Sequence, residues 1–144
     1  LAETSPQKQR AKLLAVTILT SLDQTALRQA GISGTPGARA VSLARLAKKA
    51  GLDGVVASPH EIKSIRRACG KDFLIVVPGV RPRQSGGARR DDQARVATPG
   101  EAIRSGADYL VIGRPITAAP DPRAAAQAIL AEMGAAIAGG GRRG

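Results

Sequence analysis

LIVVPGVRP at residues 74–82 and DYLVIGRP at residues 108–115 share one pattern. Each is an apolar, β-branched run that reaches a glycine, with an arginine close behind. Such runs are typical of parallel strands that are buried on both faces. Glycine lets a backbone approach a ligand closely, and arginine pairs well with anions. The ends of parallel strands meet at one rim, so the two stretches predict an anion site at the C-terminal rim of a β/α structure.

Strand and helix patterns alternate along the rest of the chain. Strands are predicted at 12–19, 52–57, 73–77 and 109–112. Helices are predicted at 24–30, 39–50, 60–69, 99–105 and 122–133, with Asp23 as the cap of the first and Thr98 with Glu101 as a capping box for the fourth. Residues 83–95 show no periodicity and are predicted to form a mobile loop that acts as a lid.

Four strands, each followed by a helix, predict an α/β fold with a parallel sheet. Four such units are half of an eightfold barrel, which typically needs about 250 residues. The competing architecture is a doubly wound open sheet, which usually binds nucleotides at a glycine-rich first turn. Here the first turn, TSLD at residues 20–23, has no glycine, which favours the barrel. We expect one half-barrel unit over residues 1–138 and a flexible Gly/Arg tail over 139–144.

The net charge of +11 favours anionic partners but does not identify them. Phe73 and Tyr109 are the only aromatic residues, so a nucleic-acid site built on stacking is not expected. An equally good interpretation is that the arginine, alanine and glycine content reflects a GC-rich genome. No apolar run is long enough to span a membrane.

A single cysteine, Cys69, and a single histidine, His60, exclude a disulfide framework and a His-based metal cluster within one chain. We expect Cys69 to be a packing residue in a helix. Asp53 and Asp108 each start a strand and are expected to stabilise the fold at the rim opposite the site. The chain is expected to be a cytoplasmic protein, and Leu1 is not expected to be a natural N-terminus.

Several segments, in the right order and spacing, resemble the family of bacterial orotidine 5′-phosphate decarboxylases. These segments are AVTILTSL at 15–22, AGLDGVVAS at 50–58, VPGVRP at 77–82, DDQAR at 91–95, ATP at 97–99 and GADYLVIGRPI at 106–116. The resemblance implies that orotidine 5′-phosphate and UMP are the ligands and that no metal or organic cofactor is needed. It also implies substrate-binding roles for five matching positions: Thr20, Arg81, Gln93, Gly113 and Arg114.

The family's catalytic motif, Asp-x-Lys-x-x-Asp on an earlier strand, does not occur in this sequence. The resemblance therefore implies the C-terminal half of the barrel, strands 5–8, which binds phosphate and holds no catalytic residue. The chain alone is expected to be inactive and to need an N-terminal half as its partner, while the full enzyme is expected to be a homodimer.

Three alternatives remain open at this point. They are a non-catalytic phosphate- or nucleotide-binding β/α module, another phosphate-binding barrel such as a sugar-phosphate isomerase, and a basic nucleic-acid-binding protein. The half-barrel interpretation also predicts association through unpaired sheet edges and an exposed apolar face. That face is expected to carry Val16, Ile18, Val56 and Val76.

Overall fold

The computed structural model describes residues 11–82 and 97–139. Within these ranges, four strands form one sheet in the order β1-β2-β3-β4, and every neighbouring pair is parallel. The strands are β1 (Leu14–Val16), β2 (Gly54–Val56), β3 (Leu74–Pro78) and β4 (Tyr109–Val111). The predicted parallel α/β architecture is confirmed, whereas the predicted lid at 83–95 lies outside the described residues.

In the described part of the chain six helices accompany the strands: α1 (Gln24–Gln29), α2 (Pro36–Lys49), α3 (Ile62–Cys69), α4 (Pro99–Ser105), α5 (Arg114–Thr117) and α6 (Pro122–Gly139). A 3₁₀ turn, Pro59–Glu61, precedes α3. The prediction that α2 starts at Arg39 was wrong. Thr35 accepts a hydrogen bond from the Ala38 N–H, and proline is favoured in the first turn, so the helix begins at Pro36. Helix α6 continues past Met133 because the chain there is rich in alanine.

The helices cover only one face of the sheet. Val55, Ile75 and Val77 are fully buried in a core that includes Ile62 and Ile65 of α3. On the other face Val16 and Val111 stay 59% and 54% exposed. Among the described residues the molecule is therefore a two-layer structure with one uncovered, apolar sheet face.

The prediction for that uncovered face was wrong at one residue. Ile18 is only 8% exposed and packs with Leu27 and Ala40 in a small second core. Strand β1 ends at Val16, shorter than the predicted 12–19, so the chain has turned away from the sheet before Ile18. Val56 and Val76 are half-buried.

Two aspartates join the strands at their N-terminal ends. Asp53 Oδ2 accepts from the Leu13 N–H at 2.8 Å, and Asp108 Oδ2 accepts from the Ile75 N–H at 2.7 Å. Both residues stabilise the rim opposite the arginines, as predicted. Cys69 is buried in the main core, and burial raises the pKa of its thiol, which agrees with a packing role. No helix in the described ranges is both long and apolar enough to cross a membrane.

Candidate functional site

The two arginine-bearing strand ends lie side by side. The register pairs Pro78 of β3 with Val111 of β4, so the chain leaves the sheet at neighbouring points. After β3, Gly79 adopts a φ of +76°, which a side chain would strain, and turns the backbone. The Arg81 N–H then donates to the Ala97 carbonyl at 3.1 Å. After β4, Gly113 leads directly into α5, whose first residue is Arg114.

Both arginines line one cleft of ≈ 740 Å³. Arg81 and Pro82 form one wall, and Arg114 with Pro115 forms another. The rest of the lining is mainly apolar and comes from the end of α5, the following turn and one side of α6: Ala118, Ala119, Pro120, Ala125, Ala128, Ile129 and Glu132. A concave site with a few charged groups on an apolar lining is typical of a small-ligand site.

The guanidinium groups of Arg81 and Arg114 are available to a ligand. Both residues are exposed, and neither makes a hydrogen bond or ion pair to another side chain within the described part of the protein. The ion pairs there involve other residues, Arg66 with Asp108 and Lys12 with Asp53. Two unpaired guanidinium groups in one cleft produce a positive potential that suits a phosphate or carboxylate.

Glu132 is the acidic member of the cleft, and sequence analysis missed it. Its Oε1 accepts from the Gly100 N–H in the first turn of α4 at 2.9 Å, so the carboxylate ties α6 to α4. Helix α6 carries few other polar residues, and a lone glutamate in an apolar helix is the signal that could have revealed this role. One carboxylate beside two guanidinium groups leaves the cleft with a positive charge.

The five predicted binding residues do not all meet in this cleft. Arg81 and Arg114 do, and Gly113 adjoins Arg114 at the strand end. Gln93 lies outside the described residues. Thr20 was placed at the end of the first strand, but β1 ends at Val16 and Thr20 is an exposed turn residue that does not line the cleft. Strands β1 and β4 are the two edges of the sheet, about 14 Å apart at the usual strand spacing.

The described lining of the cleft carries groups that can bind an anion. Among the described residues, the two groups with shifted pKa values lie elsewhere, Glu61 ahead of α3 and Cys69 at its end. Burial raises the pKa of the Glu61 carboxyl, while the Ser58 N–H and nearby His60 partly offset the rise. Among the described cleft residues there is no cysteine, histidine or lysine to act as nucleophile or base.

The fold and the cleft define a class, the parallel (β/α) barrel proteins, here represented by four of the eight strands. The chain belongs to the orotidine 5′-phosphate decarboxylase / HUMPS family, whose model matches residues 1–129. The orotidine 5′-phosphate decarboxylase of Geotalea daltonii is 61% identical over 88% of this chain and 52% of its own length. That of Geobacter sulfurreducens is 62% identical over 87% of this chain and 51% of its own length.

Solved structures agree with this assignment. The orotidine 5′-phosphate decarboxylase of Lactobacillus acidophilus matches with a TM-score of 0.71 and 42% identity, over 85% of this chain and 49% of that one. The enzyme from Pyrococcus horikoshii matches with a TM-score of 0.60 and 26% identity. The chain thus spans about half the length of the relatives it matches, and the predicted half-barrel is confirmed.

Proposed function

We propose that this chain is the phosphate-binding half of an orotidine 5′-phosphate decarboxylase, a carboxy-lyase that converts orotidine 5′-phosphate to UMP and CO₂ in pyrimidine synthesis. The observation that carries the proposal is the pair of unpartnered guanidinium groups, Arg81 and Arg114, in one cleft at adjacent strand ends. Relatives about 60% identical to this chain are named for that activity.

Phosphate binding would assist the reaction, although the phosphate lies away from the reacting carbon of the base. A dianion held by Arg81, Arg114 and the backbone near Gly113 provides binding energy that can be applied to the transition state at the base. The resemblance implies that the family's motif supplies a Lys that protonates and stabilises the carbanion and Asp carboxylates that position this Lys. Since this chain lacks Asp-x-Lys-x-x-Asp, the reacting groups would come from the other half of the barrel. The resemblance implies that Thr20 contacts the nucleotide and that Gln93 bridges its phosphate and base.

The experiment joins this chain to the part of the Geotalea daltonii relative that it does not match. We expect the hybrid to release CO₂ from orotidine 5′-phosphate and the 144-residue chain alone to release none above buffer. A folded hybrid that binds UMP but stays inactive, while the whole relative is active, would favour the second candidate function. That candidate is a non-catalytic phosphate- or nucleotide-binding module, which the described cleft alone would support equally well.

Binding measurements on the 144-residue chain test the cleft independently of catalysis. We expect UMP and inorganic phosphate to shift the amide NMR signals of residues around Arg81 and Arg114. Arg114→Ala and Arg81→Ala should weaken that binding, whereas Arg45→Ala, which removes the same charge from the exposed surface of α2, should not. Equal effects of all three variants would mean that only the net charge attracts the anion.

The remaining expectations follow from the same assignment. The complete enzyme would be a cytoplasmic homodimer that binds neither nucleic acid nor membrane and needs no metal or organic cofactor. An activity that survives exhaustive chelation, together with sedimentation of the whole hybrid as a dimer, would support them.

A further inference from the structure

The cleft extends beyond the two arginines toward the helices. Arg81 and Arg114 follow the strand ends, whereas much of the remaining lining comes from α6, which packs beside α4 in the helical layer. A volume of ≈ 740 Å³ is typical of a site for a complete small ligand and is far larger than one phosphate group. When a phosphate is bound between the arginines, space therefore remains on the helix side of it.

Glu132 is held in place on the side of this space that α6 forms. Its Oε1 accepts from the Gly100 N–H at 2.9 Å, and a Cβ at Gly100 would lie only 3.1 Å from the same oxygen. In the preceding turn of α6, Ile129 is 4% exposed and anchors the helix against the rest of the protein. The carboxylate is therefore fixed from both directions and does not readily turn away from an anion that enters the cleft.

The charge of Glu132 acts across the whole cleft. The other side chains that α6 contributes to the lining, those of Ala125, Ala128 and Ile129, are apolar and do not screen it. A compact space of this volume is about 11 Å across, which is close to the Debye length of about 10 Å at 0.1 M salt. An anion on the helix side of the arginines would therefore be repelled by this carboxylate.

The direction of a bound nucleotide follows from the proposed function, on which this inference rests. The base has to face the reacting groups, which that function assigns to the other half of the barrel, across the uncovered face of the sheet. A 5′-phosphate between Arg81 and Arg114 then has its ester oxygen on the side of that face. Any group attached beyond the phosphate would continue to the opposite side, toward α6 and Glu132.

We propose that Glu132 is a specificity-determining residue, which restricts the cleft to phosphate monoesters and disfavours nucleoside diphosphates. A monoester places its charge between the two guanidinium groups. The β-phosphate of a diphosphate would have to enter the apolar space beside a fixed carboxylate, where like charges repel each other and lose their water. The residue thus acts by repelling the wrong ligand more strongly than the right one.

The test compares UMP with UDP by titration calorimetry on the hybrid enzyme, in which the base has its binding groups. We expect the wild-type sequence to bind UMP more tightly than UDP by on the order of tenfold. Glu132→Gln, whose amide oxygen can still accept from the Gly100 N–H, should reduce that ratio by about three- to tenfold at low salt. The control, Asp72→Asn, removes the same charge from an exposed turn at the opposite rim and should leave the ratio unchanged.

A second pair of variants adds a charge instead of removing one. Ala128 lines the cleft four residues before Glu132 on the same helix, so Ala128→Lys places an ammonium where it can pair with the carboxylate. This variant should strengthen UDP binding relative to UMP binding by about three- to tenfold. Gln127→Lys adds the same charge to an exposed part of α6 outside the described lining, and it should change the two affinities alike.

The outcomes separate this inference from the proposed function. An unchanged ratio in Glu132→Gln, with UMP binding that Arg114→Ala still weakens, would overturn the role of Glu132 and leave the phosphate cleft intact. Equal affinities of the wild-type sequence for UMP and UDP would also overturn it, as would equal shifts in the ratio for Ala128→Lys and Gln127→Lys. UMP binding that does not depend on Arg114 would instead refute the phosphate cleft, and the specificity proposal with it.

Discussion

Arg66 of α3 and Asp108 ahead of β4 form an ion pair in which Nη2 and Oδ2 are 2.6 Å apart. The same Asp108 oxygen accepts from the Ile75 N–H. The Arg66 guanidinium also donates to four backbone carbonyls, those of Gly70, Lys71, Phe73 and Gly106. One side chain thereby joins the end of α3, the start of β3 and the turn before β4, at the rim opposite the cleft.

Arg66→Ala is expected to destabilise the protein by about 2–3 kcal/mol, because it leaves several partly buried carbonyls and one carboxylate without their donor. Urea denaturation of the wild type and the variant measures the difference. Arg66→Lys should recover only part of the lost stability, since an ammonium group cannot reach all of these acceptors at once. Arg45→Ala, on the exposed surface of α2, is the control and should change the free energy of unfolding by less than about 0.5 kcal/mol.

Gly54 of β2 has no room for a side chain next to Leu74 of β3. A Cβ at Gly54 would collide with the Leu74 carbonyl oxygen and lie 2.5 Å from the Leu74 Cβ. Gly54→Ala should therefore cost about 1–3 kcal/mol, the usual cost of overpacking. Gly37→Ala is the matched control, because a Cβ there meets nothing within 4 Å and alanine favours the helix. A drop in melting temperature for the first variant and none for the second is the expected result.

Glu61 makes stability depend on pH. Burial raises its pKa in the folded protein, so the folded state keeps the proton to higher pH than the unfolded chain does. This group's contribution to stability is greatest below the ordinary glutamate pKa of about 4.3 and falls as the pH rises through the raised value. Glu61→Gln should remove that dependence and keep an acceptor for the Ser58 N–H.

The measurement is the free energy of unfolding of both proteins between pH 4 and pH 7. The advantage of the wild type over Glu61→Gln should shrink as the pH rises. A constant difference across the range would contradict the assignment. Glu61→Ala should lose about 0.5–2 kcal/mol at every pH, because it removes half of a capping box.

Much of the fold follows from local patterns in the sequence. The predicted box of Thr98 with Glu101 is present, with Glu101 Oε2 accepting from the Thr98 N–H at 2.9 Å. The same pattern at Ser58 and Glu61 also forms a box, although only the first was predicted. Such signals are visible because caps depend on residues three positions apart.

Other features depend on contacts between distant segments. The early end of β1 follows from packing of Ile18 on Leu27 and Ala40, which no local pattern reveals. The contact of Glu132 with Gly100 joins residues 32 positions apart. Arginines at strand ends were predictable because parallel strands end at a common rim, whereas the acidic neighbour supplied by α6 was not.

Glu132 is expected to limit anion affinity. Glu132→Gln removes the negative charge beside Arg81 and Arg114, and its amide oxygen can still accept from the Gly100 N–H. Phosphate binding to the 144-residue chain should strengthen by roughly two- to fivefold at low salt, and the gain should diminish as salt screens the cleft. Titration calorimetry at two ionic strengths tests this. Weaker binding by the variant would mean that Glu132 holds the cleft open through its charge.

Arg114 tests the proposed activity most directly. In an active hybrid enzyme, Arg114→Ala removes a charge-assisted contact to the substrate dianion. The lower kcat/KM for orotidine 5′-phosphate should correspond to a loss of about 2–5 kcal/mol of transition-state stabilisation. Orotidine without its phosphate should lose almost nothing, because the deleted contact is absent from that substrate. Arg114→Lys should recover part of the rate, since an ammonium supplies charge without the planar fork. Equal losses on both substrates would show that Arg114 supports the fold of the strand end and does not bind phosphate.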